Sequence, residues 1–405
     1  MKQQLKLRLD GKTFEVPKGT RFLELAKQFS SGYTSPILLV TLNGILHELG
    51  TTAEEEGELR FLTIRDKAGY QSYERSAILL LLAAYHNLYG ERNAAVWIDY
   101  KESGALRCRI AGRQAVTETE LARLEAEMRT LVAAAHPIEK RSVPTREAIR
   151  LFAARGMQDK AELLRFRIYS SVNLYRLGEY EDYFYGYMLP DSSYLTVFSL
   201  RPYEDGFMLC LPAQRLPMQL AAFQPSQKIF RAMEESRESL SRQKIETVGA
   251  LNARAASGKM KELILCAEAQ MEKRIGDLAE KICRRNAVRI VLIAGPSSSG
   301  KTTFARRLAT QLSALGKTPH AIEVDNYFKN RSDTPRDEKG NFDFESLGAL
   351  DVDCFNRDLN ALLRGERVEL PRFDFISGER RYSGDFLQCS PSDILLVEGI
   401  HCLNE

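Results

Sequence analysis

The run Val288–Ala294, VRIVLIA, is almost unbroken in apolar and β-branched residues, and it leads directly into Gly295-Pro-Ser-Ser-Ser-Gly300-Lys301-Thr302. Such a run predicts a parallel strand buried on both faces. Phe304, Leu308 and Leu312 follow at helical spacing and predict a helix. The pattern GxxxxGK[ST] is therefore met in the strand, loop, helix setting that gives it physical meaning. Gly295 and Gly300 let the backbone wrap round phosphates. The amides of the Ser297, Ser298, Ser299 and Thr303 stretch and the helix N-terminus face the negative charge. Lys301 is expected to reach the β- and γ-phosphates, and the Thr302 hydroxyl to ligate Mg²⁺. A Gly/Ser-rich turn matching by chance is the plainer alternative, against which the flanking strand and helix argue.

A phosphate loop does not name a reaction, so the carboxylates downstream carry the next step. Ala321–Val324 predicts a short strand that ends at Asp325, and Asp393–Val397 (DILLV) a buried strand that ends at Glu398. Side chains at the carboxyl ends of parallel strands converge on one crevice. Asp325 is there to accept a proton from an attacking hydroxyl, and Glu398 stands at the Walker B position as a metal ligand. A helix cap or solvated loop residue remains the alternative for Asp325, and an ordinary strand-end residue for Glu398.

The set GPSSSGKTT, VDNYF (324–328), NFDFESLGALD (341–351), LPRFDFISGERR (370–381) and ILLVEGI (394–400) resembles the uridine kinase and phosphoribulokinase-like branch of P-loop kinases. The resemblance implies transfer of the γ-phosphate of ATP or GTP, with Mg²⁺, to a sugar hydroxyl. It gives Asp325 the role of general base, beside Lys301 as the phosphate-binding catalytic residue. It places Tyr327 and Asp343 against the nucleoside, and Phe373 against its base. Read without it, Asn341–Phe344 can be only a turn, and Phe373 and Phe375 only core aromatics. Phe373 and Gly378 stand where uridine kinases carry a tyrosine and a histidine that read the pyrimidine. Neither offers a polar group, so pyrimidine specificity does not carry over.

The front of the chain reads differently. Alternating Leu5, Leu7 and Leu9 before Asp10-Gly11 predict a hairpin. Thr20 is placed to cap a helix through Phe22 and Leu25. Ile37–Leu42, an Asn43-Gly44 turn and Leu59–Ile64 add strands, so residues 1–65 predict a β-grasp domain. A buried helix over 73–90, strands within 95–111, and a helix over 117–135 predict an α+β domain over 66–215. Residues 216–287 are expected to form a helical connector that ends in a long helix, 259–285. Residues 288–405 form the α/β kinase domain. Only three of the about five strands of a doubly wound sheet can be placed there. A C-terminally incomplete kinase domain is therefore the expectation.

Residues 1–65 are similar to the TGS domain, and about 66–200 to the domain that clears mischarged tRNA in threonyl-tRNA synthetases. That domain uses HxxxH and CxxxH. The matching stretches here read Arg75-Ser-Ala-Ile-Leu79 and Phe184-Tyr-Gly-Tyr-Met188, so the metal and catalytic chemistry is absent from all four positions. His86 reads as a packed or capping histidine. Tyr175, Tyr180, Tyr183, Tyr185 and Tyr187, with Arg167 and Arg176, read first as a strand pair or interface, with RNA stacking as the other reading.

Composition sets the remaining limits. The balance of 57 Lys+Arg against 54 Asp+Glu excludes a protein that holds nucleic acid mainly by net field. Seven scattered cysteines without a CxxC pair speak against a disulfide framework and a zinc site, and fit a cytoplasmic protein. No stretch is long and apolar enough to span a membrane. The expected function is a nucleoside kinase; an RNA-responsive nucleotide-binding regulator and a sugar-phosphate kinase are the alternatives. The expected small-molecule partner is a nucleoside or sugar. The sequence does not give the oligomeric state.

Overall fold

Ile394, Leu395, Leu396 and Val397 are all buried, and their side chains divide between two cores. In a strand, successive side chains leave opposite faces. Ile394 and Leu396 join Ile293, Ala305, Leu308 and Leu312, whereas Leu395 and Val397 join Ile322, Val324, Leu350 and Leu362. A strand packed on both faces is the physical reason for the unbroken apolar run.

The computed structural model describes residues 3–90, 96–113, 115–285 and 287–404. Met1, Lys2, Ala95 and Glu405, which the expected domains and strands included, lie outside the described residues. The chain forms two units, Met1–Ser257 and Gly258–Glu405.

The first unit begins with β1 (Gln4–Leu9), β2 (Lys12–Pro17), α1 (Phe22–Phe29), β3 (Ile37–Leu42), β4 (Ile45–Glu48) and β5 (Gly57–Thr63). The sheet runs β2-β1-β5-β3-β4, with β1 and β5 parallel, which is the β-grasp arrangement. Both expected turns lie in the left-handed region that Asp/Asn-Gly tolerates: Asp10 and Gly11 at φ 48° and 79°, Asn43 and Gly44 at 52° and 80°. Thr20 does not cap α1. The helix opens from Arg21 without a side-chain cap, and the Thr20 hydroxyl instead donates to the Pro17 carbonyl at 2.7 Å.

Next come α2 (Lys67–Tyr89), β6 (Val96–Glu102), β7 (Ala105–Ile110), α3 (Glu118–Ala133), β8 (Ile138–Pro144), α4 (Thr145–Ala154), α5 (Gln158–Arg165), β9 (Ser171–Leu177), β10 (Tyr180–Tyr183), β11 (Ser199–Tyr203) and β12 (Gly206–Cys210). They form two antiparallel sheets, β10-β9-β8 and β11-β12-β7-β6. The apolar α2 shares a core with both sheets and with Leu121, Leu124, Met128 and Leu131 of α3. Thr117 closes a capping box with Glu120 at the start of α3.

The stretch expected to be a helical connector is more varied. β13 (Pro212–Ala213) and β14 (Leu216–Leu220) form a hairpin before α6 (Gln227–Arg242), α7 (Val248–Ala256) and α8 (Met260–Cys283). The long helix α8 is also more than a link. Ile275, Ala279 and Ile282 bury against α9 (Lys301–Ala314) and the strands of the second unit. Helical periodicity predicted its apolar stripe but could not say what the stripe covers.

The second unit holds β15 (Ile290–Ala294), β16 (Pro319–Glu323), α10 (Val352–Leu363), β17 (Val368–Asp374), β18 (Glu379–Leu387) and β19 (Ile394–Gly399). Three parallel strands run β15-β19-β16, with Ala294 opposite Gly399 and Glu323 opposite Glu398. Helices α8 and α9 cover one face, α10 the other, and β17 and β18 form a separate antiparallel hairpin. No helix among the described residues is long and apolar enough to cross a membrane.

Leu396 has no exposed surface and lies in the central strand. Leu396→Ala should therefore lower the stability of this unit by about 2–5 kcal/mol through lost transfer energy and the cavity left behind. Denaturant unfolding against the parent chain measures this; a loss under about 1 kcal/mol would mean that the two layers are not held through this strand.

Candidate functional site

The loop after β15 takes the shape its glycines permit. Gly300 precedes α9 at φ 87°, and Ser298 also lies in the left-handed region at φ 59°. A Cβ on Gly295 would stand 2.8 Å from Ser299 Oγ and 3.3 Å from Lys301 Cγ, so the loop closes on itself there. Lys301 Nζ donates to the Pro296 carbonyl at 3.2 Å, folded over the loop that it is expected to leave for a phosphate.

The end of β19 lies beside the start of α9. Thr302 Oγ1 donates to Glu398 Oε1 at 2.5 Å, and Glu398 is buried. These two oxygens are the donor type a hard divalent cation takes. Gly399 lets β19 approach the 3₁₀ turn Val324–Tyr327 that follows β16: a Cβ on Gly399 would meet Val324 Cβ at 2.7 Å. That close approach sets Asp325 beside the loop. Burial first, and then the Glu398 carboxylate, push the Asp325 carboxyl above its ordinary value, while Lys301 and His401 pull it back down. Lys301, Thr302, Asp325 and Glu398 thus share one crevice at the carboxyl ends of β15, β16 and β19.

The residues expected to face the acceptor are placed differently. Tyr327 is 2% exposed and packs its ring against Phe355 at 5.2 Å, in the core beneath the turn. Asp343 Oδ1 accepts from the amides of Glu345 and Ser346, at 3.1 and 3.2 Å, and so closes its own turn. Phe373 is buried against Phe328 and Ala349, but its amide donates to Asn326 Oδ1 at 3.2 Å, which links β17 to the residue after Asp325. Phe375, next to it with ring centroids 5.1 Å apart, is 60% exposed.

Sequence reasoning missed two residues here. His401 bears on the Asp325 charge, and its Nε2 is buried without a hydrogen-bond partner among the described residues. Its place three residues after Glu398 was the available signal. Arg331 crosses the hairpin turn at Gly378: its amide donates to the Gly378 carbonyl at 2.8 Å, and Nη2 to the Phe375 carbonyl at 2.9 Å. No sequence pattern announces so distant a contact.

Residues 290–405 match the Phosphoribulokinase / Uridine kinase family. The curated uridine kinase of Halobacterium salinarum is 32% identical over 113 residues, which are 28% of this chain and 48% of that protein. The structure of a possible uridine kinase from Bacillus stearothermophilus is 26% identical, covering 34% of this chain and 74% of that one with a TM-score of 0.30. Over the N-terminal half, the threonine–tRNA ligase of Thermotoga maritima is 31% identical over 201 residues, 49% of this chain and 30% of that protein. The chain thus spans about half the length of that uridine kinase and under a third of that ligase. Within the kinase-family segment, Gly378 sits at φ 74°, and a Cβ there would meet Arg331. Arg331 therefore packs directly against the backbone at Gly378.

In the N-terminal unit, the stretches Arg75–Leu79 and Phe184–Met188, expected from the sequence to correspond to HxxxH and CxxxH, come together. Arg75 Nε donates to the Tyr187 carbonyl at 3.1 Å, and Ser76 Oγ accepts from the Leu189 amide at 3.0 Å. Leu79 and Met188 are buried. The expected tyrosine group divides: Tyr175 and Tyr180 are buried, while Arg167 lies 5.5 Å from the ring of the exposed Tyr185 and donates to the Tyr183 hydroxyl at 2.9 Å. A cavity of about 1030 Å³ is lined in part by His86, Trp97, Lys160, Asp182 and Phe184. The His86 ring stands 5.5 Å from that of Tyr180.

The raised Asp325 carboxyl has a consequence for pH. Folding holds its proton more tightly than the unfolded chain does, so stability falls as pH climbs from the ordinary aspartate value of about 3.9 to the higher folded value. Asp325→Asn removes that penalty. Its melting temperature should exceed the parent's at pH 7.5, and the gain should shrink to nothing as pH drops toward 4. A difference that stays flat across this range in thermal melts would contradict the burial of Asp325 beside Glu398.

Proposed function

We propose that the C-terminal unit transfers the γ-phosphoryl group of ATP or GTP to the hydroxyl of a nucleoside or a related sugar. The observation that carries this reading is the convergence of a proton-accepting Asp325 with Lys301, Thr302 and Glu398 at one crevice. The amides from Ser297 to Thr303 and the N-terminus of α9 bind the phosphates. Lys301 leaves the Pro296 carbonyl and pairs with the β- and γ-phosphates. Thr302 and Glu398 hold Mg²⁺, which when bound neutralises charge on the phosphates. Asp325 takes the proton of the acceptor hydroxyl as its oxygen bonds to the γ-phosphorus. The bond from that phosphorus to the bridging oxygen breaks, and the nucleoside diphosphate leaves.

The acceptor side is built from the linked Asn326 and β17. Phe373 forms the wall of the acceptor site, Phe375 offers the open aromatic face, Asp343 keeps one carboxylate oxygen for a sugar hydroxyl, and Tyr327 supports the turn from beneath. The N-terminal unit, with its TGS-like part over 1–65 and its editing-like part over 66–215, is read as a binding module for RNA without hydrolytic chemistry, because Arg75, Leu79, Phe184 and Met188 supply neither metal ligands nor a nucleophile.

Asp325→Asn should lower transfer by about 10²–10⁴-fold, the usual worth of a positioned base, and leave nucleotide affinity unchanged. A panel of nucleosides and sugar phosphates assayed with ATP and GTP measures this; transfer preserved in the variant rejects the assignment. Gly300→Ala puts a side chain at φ 87°, at a cost of about 1–2 kcal/mol. Titration with a fluorescent nucleotide should then show binding about 5–30-fold weaker; unchanged affinity would mean that the loop does not hold its shape when it binds.

A further inference from the structure

The opposite end of β19 gathers an imidazole, a thiol and a carboxylate that the phosphate site does not use. His320 is the second residue of β16, Asp393 immediately precedes β19, and Cys389 lies between β18 and β19. One ligand atom of each lies within 4.8 Å of the other two. His320 Nε2 is 3.0 Å from Asp393 Oδ2. Cys389 is a free cysteine, buried like Asp393, while His320 stays partly open to solvent. A cation therefore has a way in and little water to compete with inside.

The spacing suits one kind of ion. Tetrahedral Zn²⁺, with bonds of about 2.0–2.3 Å to nitrogen, oxygen and sulfur, sets its ligand atoms about 3.3–3.7 Å apart. The three side chains meet that spacing after shifts of about 1 Å. A thiolate with an imidazole selects zinc over the magnesium that the oxygen pair Thr302 and Glu398 suits. The surroundings already orient the carboxylate: Asp393 accepts from the Ser390 amide at 3.0 Å and from the Ser390 hydroxyl at 2.5 Å, as the outer shell of a metal site does. The nearby cation, Arg289, donates to the backbone carbonyls of Asp393 and Ser390, which leaves the carboxylate charge for a metal.

We propose that His320, Cys389 and Asp393 form a three-ligand Zn²⁺ site that ties the beginning of β16 to the beginning of β19. The metal replaces the hydrogen between His320 Nε2 and Asp393 Oδ2, with the imidazole proton on Nδ1. The Cys389 thiol proton passes to solvent as the sulfur bonds to zinc, and water takes the fourth position. The site lies five residues from Glu398 along the strand, about 16 Å, so it holds the sheet and does not touch the reacting phosphate. The scattered cysteines had spoken against zinc because a sequence motif detects only ligands that are neighbours in the chain. Parallel pairing of β16 with β19 brings His320 to Asp393, and the turn that leads into β19 brings Cys389 to both.

The full chain, stripped by a chelator, should take up one equivalent of Co²⁺ with tetrahedral d–d bands and a thiolate charge-transfer band, and Zn²⁺ should displace it. Cys389→Ser should abolish the charge-transfer band, and His320→Gln should weaken binding about tenfold or more, both with unchanged far-ultraviolet circular dichroism. Cys402→Ser, near Glu398, and Cys266→Ser, on the surface, should keep the band. In the parent chain, Zn²⁺ should also slow alkylation at Cys389 and not at Cys266, a readout that needs no variant to fold. The proposal fails if the parent shows no charge-transfer band, if the band survives Cys389→Ser or vanishes in Cys402→Ser, or if Zn²⁺ leaves alkylation of Cys389 unchanged.

Discussion

The bond between Thr302 and Glu398 couples the two halves of the phosphate site, and it exists only because β19 is paired on both sides. Its register with β15 sets Gly399 opposite Ala294, and its register with β16 sets Glu398 opposite Glu323. One strand therefore fixes where the phosphate loop begins, where the Glu398 carboxylate stands and where the turn bearing Asp325 starts. The carboxylates are crowded as a result, and the Asp325 carboxyl is raised first by its burial and then by the Glu398 charge. Glycine is needed at 399 for the same reason, since any side chain there would collide with Val324.

Much of this was legible in the chain before folding was considered. The central strand β19 announced itself as an unbroken apolar run because it is buried on both faces; the run expected to be buried likewise, β15, is an edge strand that leaves Leu292 exposed, and β16 at the other edge leaves Glu323 exposed. The phosphate loop announced itself because its chemistry needs glycines at fixed offsets. The hairpin β17–β18 was not legible as strands, because most of β18 is exposed and its charged sequence gives no alternation to read. Tyr327 illustrates a second limit. Its neighbourhood in the chain linked it to the acceptor, yet a 3₁₀ turn points adjacent side chains in different directions, and its ring goes into the core while Asp325 faces the loop. Thr20 shows a third limit: a residue with capping chemistry can be claimed by the carbonyl behind it.

In the N-terminal unit, the stretches around Arg75 and Tyr187 meet through a guanidinium and a backbone carbonyl. Glu48 of the first sheet is drawn into the same region, where it accepts from the Tyr175 hydroxyl at 2.6 Å and from the Met188 amide at 3.0 Å. A buried carboxylate satisfied in this way holds the β-grasp part to the part that follows it, and removing its partners would leave a costly charge.

The alternation of side chains along β19 also bears on how the chain can vary. One residue added or deleted just ahead of Ile394 would exchange the faces of every side chain in the strand. The layer that meets α9 would receive residues shaped for the layer beneath α10, and Glu398 would turn away from Thr302. The loop between β18 and β19 is thus constrained in length as well as in the side chains it carries: its residue count works as a ruler, with the phosphate site reading the far end of the measurement.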